Sequence, residues 1–97
     1  MTKGYWVAQV DIDDAESYQT YIAANAAPFA RFGAKFLVRG GKGEVVEGVF
    51  RTKVVVIEFP SVEAARACYD SPEYQAAKAL REPAARADLV IIEGYDA

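Results

Sequence analysis

Ninety-seven residues carry a net charge of −3, a single cysteine and no histidine. That length supplies one domain, residues 1–97, around one core, and the lone Cys68 excludes an internal disulfide and suits a reducing cytoplasm. The scattered cations exclude the basic stripe that nucleic acid requires.

Gly4 to Ile12 alternates two sets of side chains and reads as the first strand. Trp6, Ala8, Val10 and Ile12 form an apolar face, expected to pack on helices. Tyr5, Val7, Gln9 and Asp11 form a mixed face turned the other way. Asp13-Asp-Ala-Glu16 then resembles a helix cap with a glutamate three residues on. The helix it opens carries Tyr18, Tyr21, Ile22 and Asn25 at helical spacing. Pro28 is expected to kink or restart it before Phe29, and Gly33 to close it.

Lys35 to Val38 is the second strand, with Arg39 at its end and Gly40-Gly-Lys-Gly43 as a hairpin turn. Glu44 to Val49 reads as a short strand weakened by Gly48. Lys53 to Phe59 is a clear strand stopped by Pro60. Ser61 caps a second helix, which Ser71-Pro72-Glu73 restarts with serine at the cap and proline at the first helical position. Pro83 is expected to bend its last part, and Leu89 to Ile92 returns to the sheet.

The order is βαββαβ. This predicts an α+β fold, an antiparallel sheet with two kinked helices on one face. Two helices cover only one face of such a sheet. The other face is also rich in valine and isoleucine, so a second copy of the chain is expected to cover it, sheet against sheet. No apolar run approaches membrane-spanning length and the start lacks a signal-peptide pattern, so no membrane partner and a cytoplasmic location are expected.

Several stretches resemble the domain of unknown function 1330 family. They are Gly4-Tyr-Trp-Val-Ala8, Phe36-Leu-Val-Arg-Gly-Gly41, Val46-Glu-Gly48, Val56-Ile-Glu-Phe-Pro60, Tyr69-Asp-Ser-Pro-Glu-Tyr-Gln75 and Val90-Ile-Ile-Glu-Gly94. The resemblance implies a ferredoxin-like fold of the dimeric α+β-barrel kind, in which two sheets pack face to face. It implies no established activity. The wider superfamily includes cofactor-independent monooxygenases, isomerase-like, dehalogenase-like and haem-degrading proteins and ligand sensors, and fold alone does not choose among them. Several of those enzymes use a histidine, which this chain lacks.

Without histidine, the usual neutral-pH base and the commonest metal ligand are missing, so no metal and no cofactor are expected. Proton transfer would fall to a carboxylate, Tyr, Cys or Lys. If Val55, Ile57 and Phe59 face the helices, Glu58 points between the two sheets. Arg39 ends the adjacent strand and Glu47 follows the glycine turn, so the three are expected to form one charge cluster. Glu58 is the candidate catalytic base, and Arg39 the fork that grips a carboxylate. The competing expectation is an ion pair that only fixes dimer register.

Tyr69, Ser71 and Tyr74 lie around the helix break, with Arg81 seven residues beyond Tyr74 on nearly the same face. These four are candidate ligand-binding residues, although capping alone explains Ser71. Gly40 to Gly43 lacks the spacing of a phosphate loop, and Cys68 sits on an apolar helix face as a structural thiol. Trp6 and Asn25 are residue types that resemble those of cofactor-free oxygenation, yet Trp6 falls on the core side. Asp13, Asp14 and Glu16 suit helix capping better than a metal. The expected function is a small homodimer that binds or transforms a small acidic or carbonyl compound without a prosthetic group. The alternative is a metabolite-sensing or structural dimer without catalysis.

Overall fold

The computed structural model describes residues 2–96. Along the chain come β1 (Gly4–Ile12), α1 (Ala15–Arg31), β2 (Lys35–Arg39), β3 (Lys53–Phe59), α2 (Val62–Asp70), α3 (Pro72–Arg81) and β4 (Ala85–Glu93). The strands form one antiparallel sheet in the order β2-β3-β1-β4. Register sets the faces: Trp6 lies opposite Ile57 and Ile91, and Ala8 opposite Val55 and Leu89. Alternation sends all of these to the helix side. The core sits there, with Trp6, Ile57 and Phe59 buried.

Trp6 is the pivot of that core. Its indole N–H donates to the Ala65 carbonyl of α2 at 2.9 Å. Phe29, Tyr69 and Tyr74 present their edges to it at centroid distances of 5.2, 5.8 and 4.8 Å, the offset geometry that aromatic quadrupoles favour. Gly4 explains how α2 comes so near. A Cβ at this position would stand 2.5 Å from the Ser61 carbonyl oxygen, so only glycine admits the start of α2 here.

The helices differ in detail from expectation. The cap of α1 is Asp14, not Asp13, and its carboxylate accepts from the Ser17 N–H at 3.2 Å. Asp13 instead pairs with Arg86 at 3.1 Å. Pro28 lies inside α1 without ending it. Gly33, at φ 74°, closes α1, with Ala34 N–H donating to Phe29 O and Gly33 N–H to Ala30 O. Those two bonds are the Schellman pattern.

The second helix is two helices, so the order becomes βαββααβ. Ser71 causes the division: its hydroxyl donates to Cys68 O at 2.7 Å and accepts from Tyr74 N–H at 3.1 Å. One side chain thus ends α2 and starts α3, and Pro72 cannot donate backward. Pro83 lies beyond α3 and bends nothing.

Two departures concern β2. Its pairing with β3 slips by one residue between Phe36 and Val38, a bulge at Leu37. A bulge inverts the facing of everything after it, so Phe36 and Arg39 share the helix side. Residues 40–52 form a long irregular loop rather than a tight turn, and Glu44 to Val49 is not a strand. Gly48 at φ 80° and the exposure of Val45, Val46 and Val49 show that this stretch has neither a pairing partner nor a core to enter.

The loop rejoins the sheet through Asp11. One carboxylate oxygen accepts from Thr52 N–H at 2.8 Å and the Thr52 hydroxyl at 2.7 Å, the other from Arg51 at 2.9 Å. Arg51 also reaches Asp88 at 2.8 Å. Hydrogen bonds from Thr52 above all, with Arg51 adding its charge, hold the Asp11 carboxyl down at about 2 against an ordinary 3.8. A carboxyl depressed on folding stabilises the native state above its unfolded value and loses that contribution as pH falls through its folded one. Asp11→Asn is therefore expected to lower the melting temperature at neutral pH, with the gap from the native protein closing between about pH 4 and pH 2 in thermal melts.

Candidate functional site

A cavity of about 250 Å³ lies between α1 and the sheet. Its floor is Ala8 and Val10 of β1, Val55 of β3 and Leu89 of β4. Its roof is one stripe of α1, where Tyr18, Ile22 and Asn25 recur at helical spacing. Arg39 and Lys53 stand at the edge near the long loop, and Arg81 enters from the end of α3.

Arg81 is the most constrained polar group here. It is 9% exposed, and its Nη1 donates to the Tyr74 hydroxyl at 3.1 Å. That hydroxyl shares a 2.8 Å hydrogen bond with Tyr21. The Arg81 guanidinium also stands 5.5 Å from the centre of the Tyr21 ring. Burial, reinforced by the neighbouring Tyr21, pushes the Tyr74 phenol well above its ordinary value despite Arg81. Tyr74 therefore stays neutral and orients the guanidinium without cancelling its charge. Burial likewise raises Tyr18, against the opposing pull of Arg81 and Arg39.

Arg39 lies over the Phe36 ring, 3.9 Å from its centre, a stacking that the Leu37 bulge makes possible. Among the described residues three cations thus reach the cavity wall, while no aspartate or glutamate lines it. None of the three is in an ion pair among the described residues. The pairs there engage Lys3, Arg31, Arg51, Arg66, Lys78 and Arg86.

Of the residues singled out in the sequence, Arg39 and Arg81 line the cavity and Tyr74 stands one step behind Arg81. The cluster expected of Arg39, Glu47 and Glu58 does not form. Glu58 points to the open face, where it accepts from the Tyr5 hydroxyl at 3.1 Å and lies 3.9 Å from Lys3. The bulge turned Arg39 to the opposite side, and Glu47 is exposed in the loop. Tyr69 packs on Trp6, and Ser71 spends its hydroxyl on the two helix ends. Neither lines the cavity.

Tyr18, Tyr21, Asn25 (noted in the sequence only as an oxygenation-type residue) and Lys53 line it without having been candidate ligand residues. Polar atoms on the apolar stripe of α1 were the available signal for the first three. Alternation along Lys53-Val-Val-Val-Ile57, which sends Lys53 to the side of Val55, was the signal for the fourth. Cys68 is fully buried and its burial pushes the thiol up to about 12, as befits a structural residue. Among the described residues no group of three or more Cys, Asp or Glu is placed to hold a metal, and no helix is long and apolar enough to cross a membrane.

Comparison with known sequences is decisive for the family: the profile of Domain of unknown function (DUF1330) matches residues 3–95. The chain belongs to the DUF1330 family. No curated protein matches it. Among solved structures, a protein of unknown function from Rhodopseudomonas palustris is similar at TM-score 0.78 and 21% identity, over 99% of this chain and 85% of that one. SnoaB, a cofactor-independent oxygenase from Streptomyces nogalater, is similar at TM-score 0.66 and 14% identity, over 100% and 97%. A dimeric ferredoxin-like protein of unknown function from Thermobifida fusca gives 0.62 and 18%, over 95% and 91%. At these identities the likeness is one of fold, and the DUF1330 chain has the ferredoxin-like α+β architecture.

The Tyr74 hydroxyl links two buried partners, so removing it leaves both short of a hydrogen bond. Tyr74→Phe is expected to cost about 1–3 kcal/mol in denaturant unfolding while the far-ultraviolet spectrum stays native.

Proposed function

We propose that this DUF1330 protein is a homodimer that holds a small acidic or carbonyl-bearing organic molecule between α1 and the sheet, without a prosthetic group. The observation that carries this reading is the cavity itself, apolar in most of its wall, with Asn25, Arg39 and Arg81 converging on it. Few polar groups on an apolar cleft are the usual composition of a small-molecule site. Arg81 holds the ligand, Arg39 meets it at the cavity mouth, and Tyr74 positions Arg81. Glu58, on the open face, serves the seam between subunits rather than proton transfer. That a fold neighbour is named as a cofactor-independent oxygenase supports the view that this architecture can handle organic compounds unaided.

A second reading, holding or sensing without turnover, is favoured by one feature. Among the described residues no carboxylate lines the cavity, and the chain has no histidine, so the site lacks an ordinary proton acceptor. Both readings share the ligand site and the dimer. The dimer is supported by the open sheet face, where Val90 and Ile92 are half exposed beside Val7, Val54 and Val56. The Thermobifida neighbour is described as dimeric.

The cavity is tested by a thermal-shift screen of small acids, aldehydes and aromatic compounds against the native protein and Ala8→Leu, which fills the floor. A hit is expected to raise the native melting temperature by several degrees and to leave Ala8→Leu unmoved. Equal shifts in both proteins would place binding elsewhere. For the seam, Val90→Glu puts a charge in the apolar patch of the open face and is expected to convert a sedimenting dimer into a monomer.

A further inference from the structure

The proposed ligand site leaves open which of its two ligand classes it prefers, and the charges around the cavity decide between them. Arg39 and Lys53 are exposed and can keep their hydration, so neither demands a partner. Arg81 is different: it is buried, and among the described residues its one hydrogen-bond partner is a neutral phenol. Burying a guanidinium without a carboxylate is expensive. Asn25 is also buried and lines the same space, with no hydrogen bond for its amide among the described residues. Yet among the described residues no fully enclosed side-chain nitrogen or oxygen is left unpartnered. The free edges of these two groups therefore open into accessible space.

We infer that the cavity selects a flat organic monoanion, whose carboxylate sits against Arg81 and Asn25 while its ring lies along the sheet. The inference rests on the proposed ligand site and narrows it from acidic or carbonyl compounds to acids. One desolvated cation calls for one negative charge. A second would have only the hydrated Arg39 and Lys53 to meet it, and these act on approach instead, concentrating anions at the mouth. Flatness follows from the walls: the sheet side is an even floor of Ala8, Val55 and Leu89, and the Phe36 ring under Arg39 extends it as an aromatic edge. The cavity volume, at the small end for ligand sites, suits roughly one or two rings.

The chemistry also says what is rejected. A primary amide has the shape of a carboxylate but sets an N–H donor against guanidinium donors, leaving Arg81 uncompensated. A cationic amine adds like charge beside it.

The test is calorimetric titration of the native protein with benzoate, cinnamate and naphthoate, each paired with its primary amide. At least one acid is expected to bind about tenfold or more tightly than its amide. Arg81→Met is expected to bring that pair to within about twofold, while Arg39→Met keeps the preference and weakens only its salt dependence. If Arg81→Met does not fold, Arg81→Lys keeps the charge without the planar fork and should shrink the preference several-fold. An acid and amide that bind alike to the native protein overturn the inference and leave the ligand site standing. A preference untouched by either Arg81 variant overturns the role of Arg81. Absence of binding by every acid and amide overturns the inference, and the broader screen with Ala8→Leu then decides the fate of the site itself.

Discussion

The indole of Trp6 stands on the central strand and is fixed at its far end by the Ala65 carbonyl, with rings from α1, α2 and α3 packed around it. A side chain of that size, clamped by a directional bond, sets how far the helices stand above the sheet. Two residues along the same face of β1 come Ala8 and then Val10, which cannot fill the gap that Trp6 has opened. Side chains pack to crystal-like density where they can reach, and a void remains where small residues follow a large one. The cavity is thus a consequence of Trp6-Val-Ala-Gln-Val10, and α1, which packs chiefly along α3, roofs it without collapsing onto the floor.

The sheet also sorts charge. Its open face carries paired acids: Asp11 and Asp88 on Arg51, and Glu58 on Tyr5 and Lys3. Its helix face carries cations alone at the cavity, although the chain as a whole is acidic. Net charge therefore says nothing about the local potential, which low-dielectric walls focus within the cleft. Among the described residues no carboxylate is paired with the buried Arg81. The tyrosine pair behind Arg81 is consistent with that separation, because it supplies orientation and no counter-charge.

Much of the fold was legible because its signals are local. β1 follows from the alternation of its two faces, β3 from a β-branched apolar run stopped by Pro60, and the Ser71-Pro72 break from capping chemistry. β4 extends back to Ala85 because β1 pairs along its whole length and recruits the mixed stretch Ala85-Arg-Ala-Asp88, which has no strand signal of its own. The Leu37 bulge was not legible. Phe36-Leu-Val38 contains no glycine or polar residue to mark an extra position, and without the bulge Arg39 falls on the face of Glu58. One unseen residue of slip thus moved the expected site from one side of the sheet to the other. The Arg81 and Tyr74 spacing, by contrast, is helical and could be read directly. Asn25 was visible as an amide on an apolar stripe, but whether such a group meets a neighbour or a void depends on the layer spacing that Trp6 sets from afar.

The two faces of the sheet divide the physical work. On the open face the charged groups are paired and apolar side chains are left uncovered, a surface that gains most from a second sheet. On the helix face the apolar groups are covered and the charged ones are left unpaired, a surface that gains most from a small anion. Each face lacks what the other has in surplus. The long loop joins them, since its first residue, Gly40, and Lys53 just past its end edge the cavity, while Arg51 and Thr52 are tied to the open face through Asp11. Whatever settles against the open face therefore bears on the same segment that frames the cavity mouth.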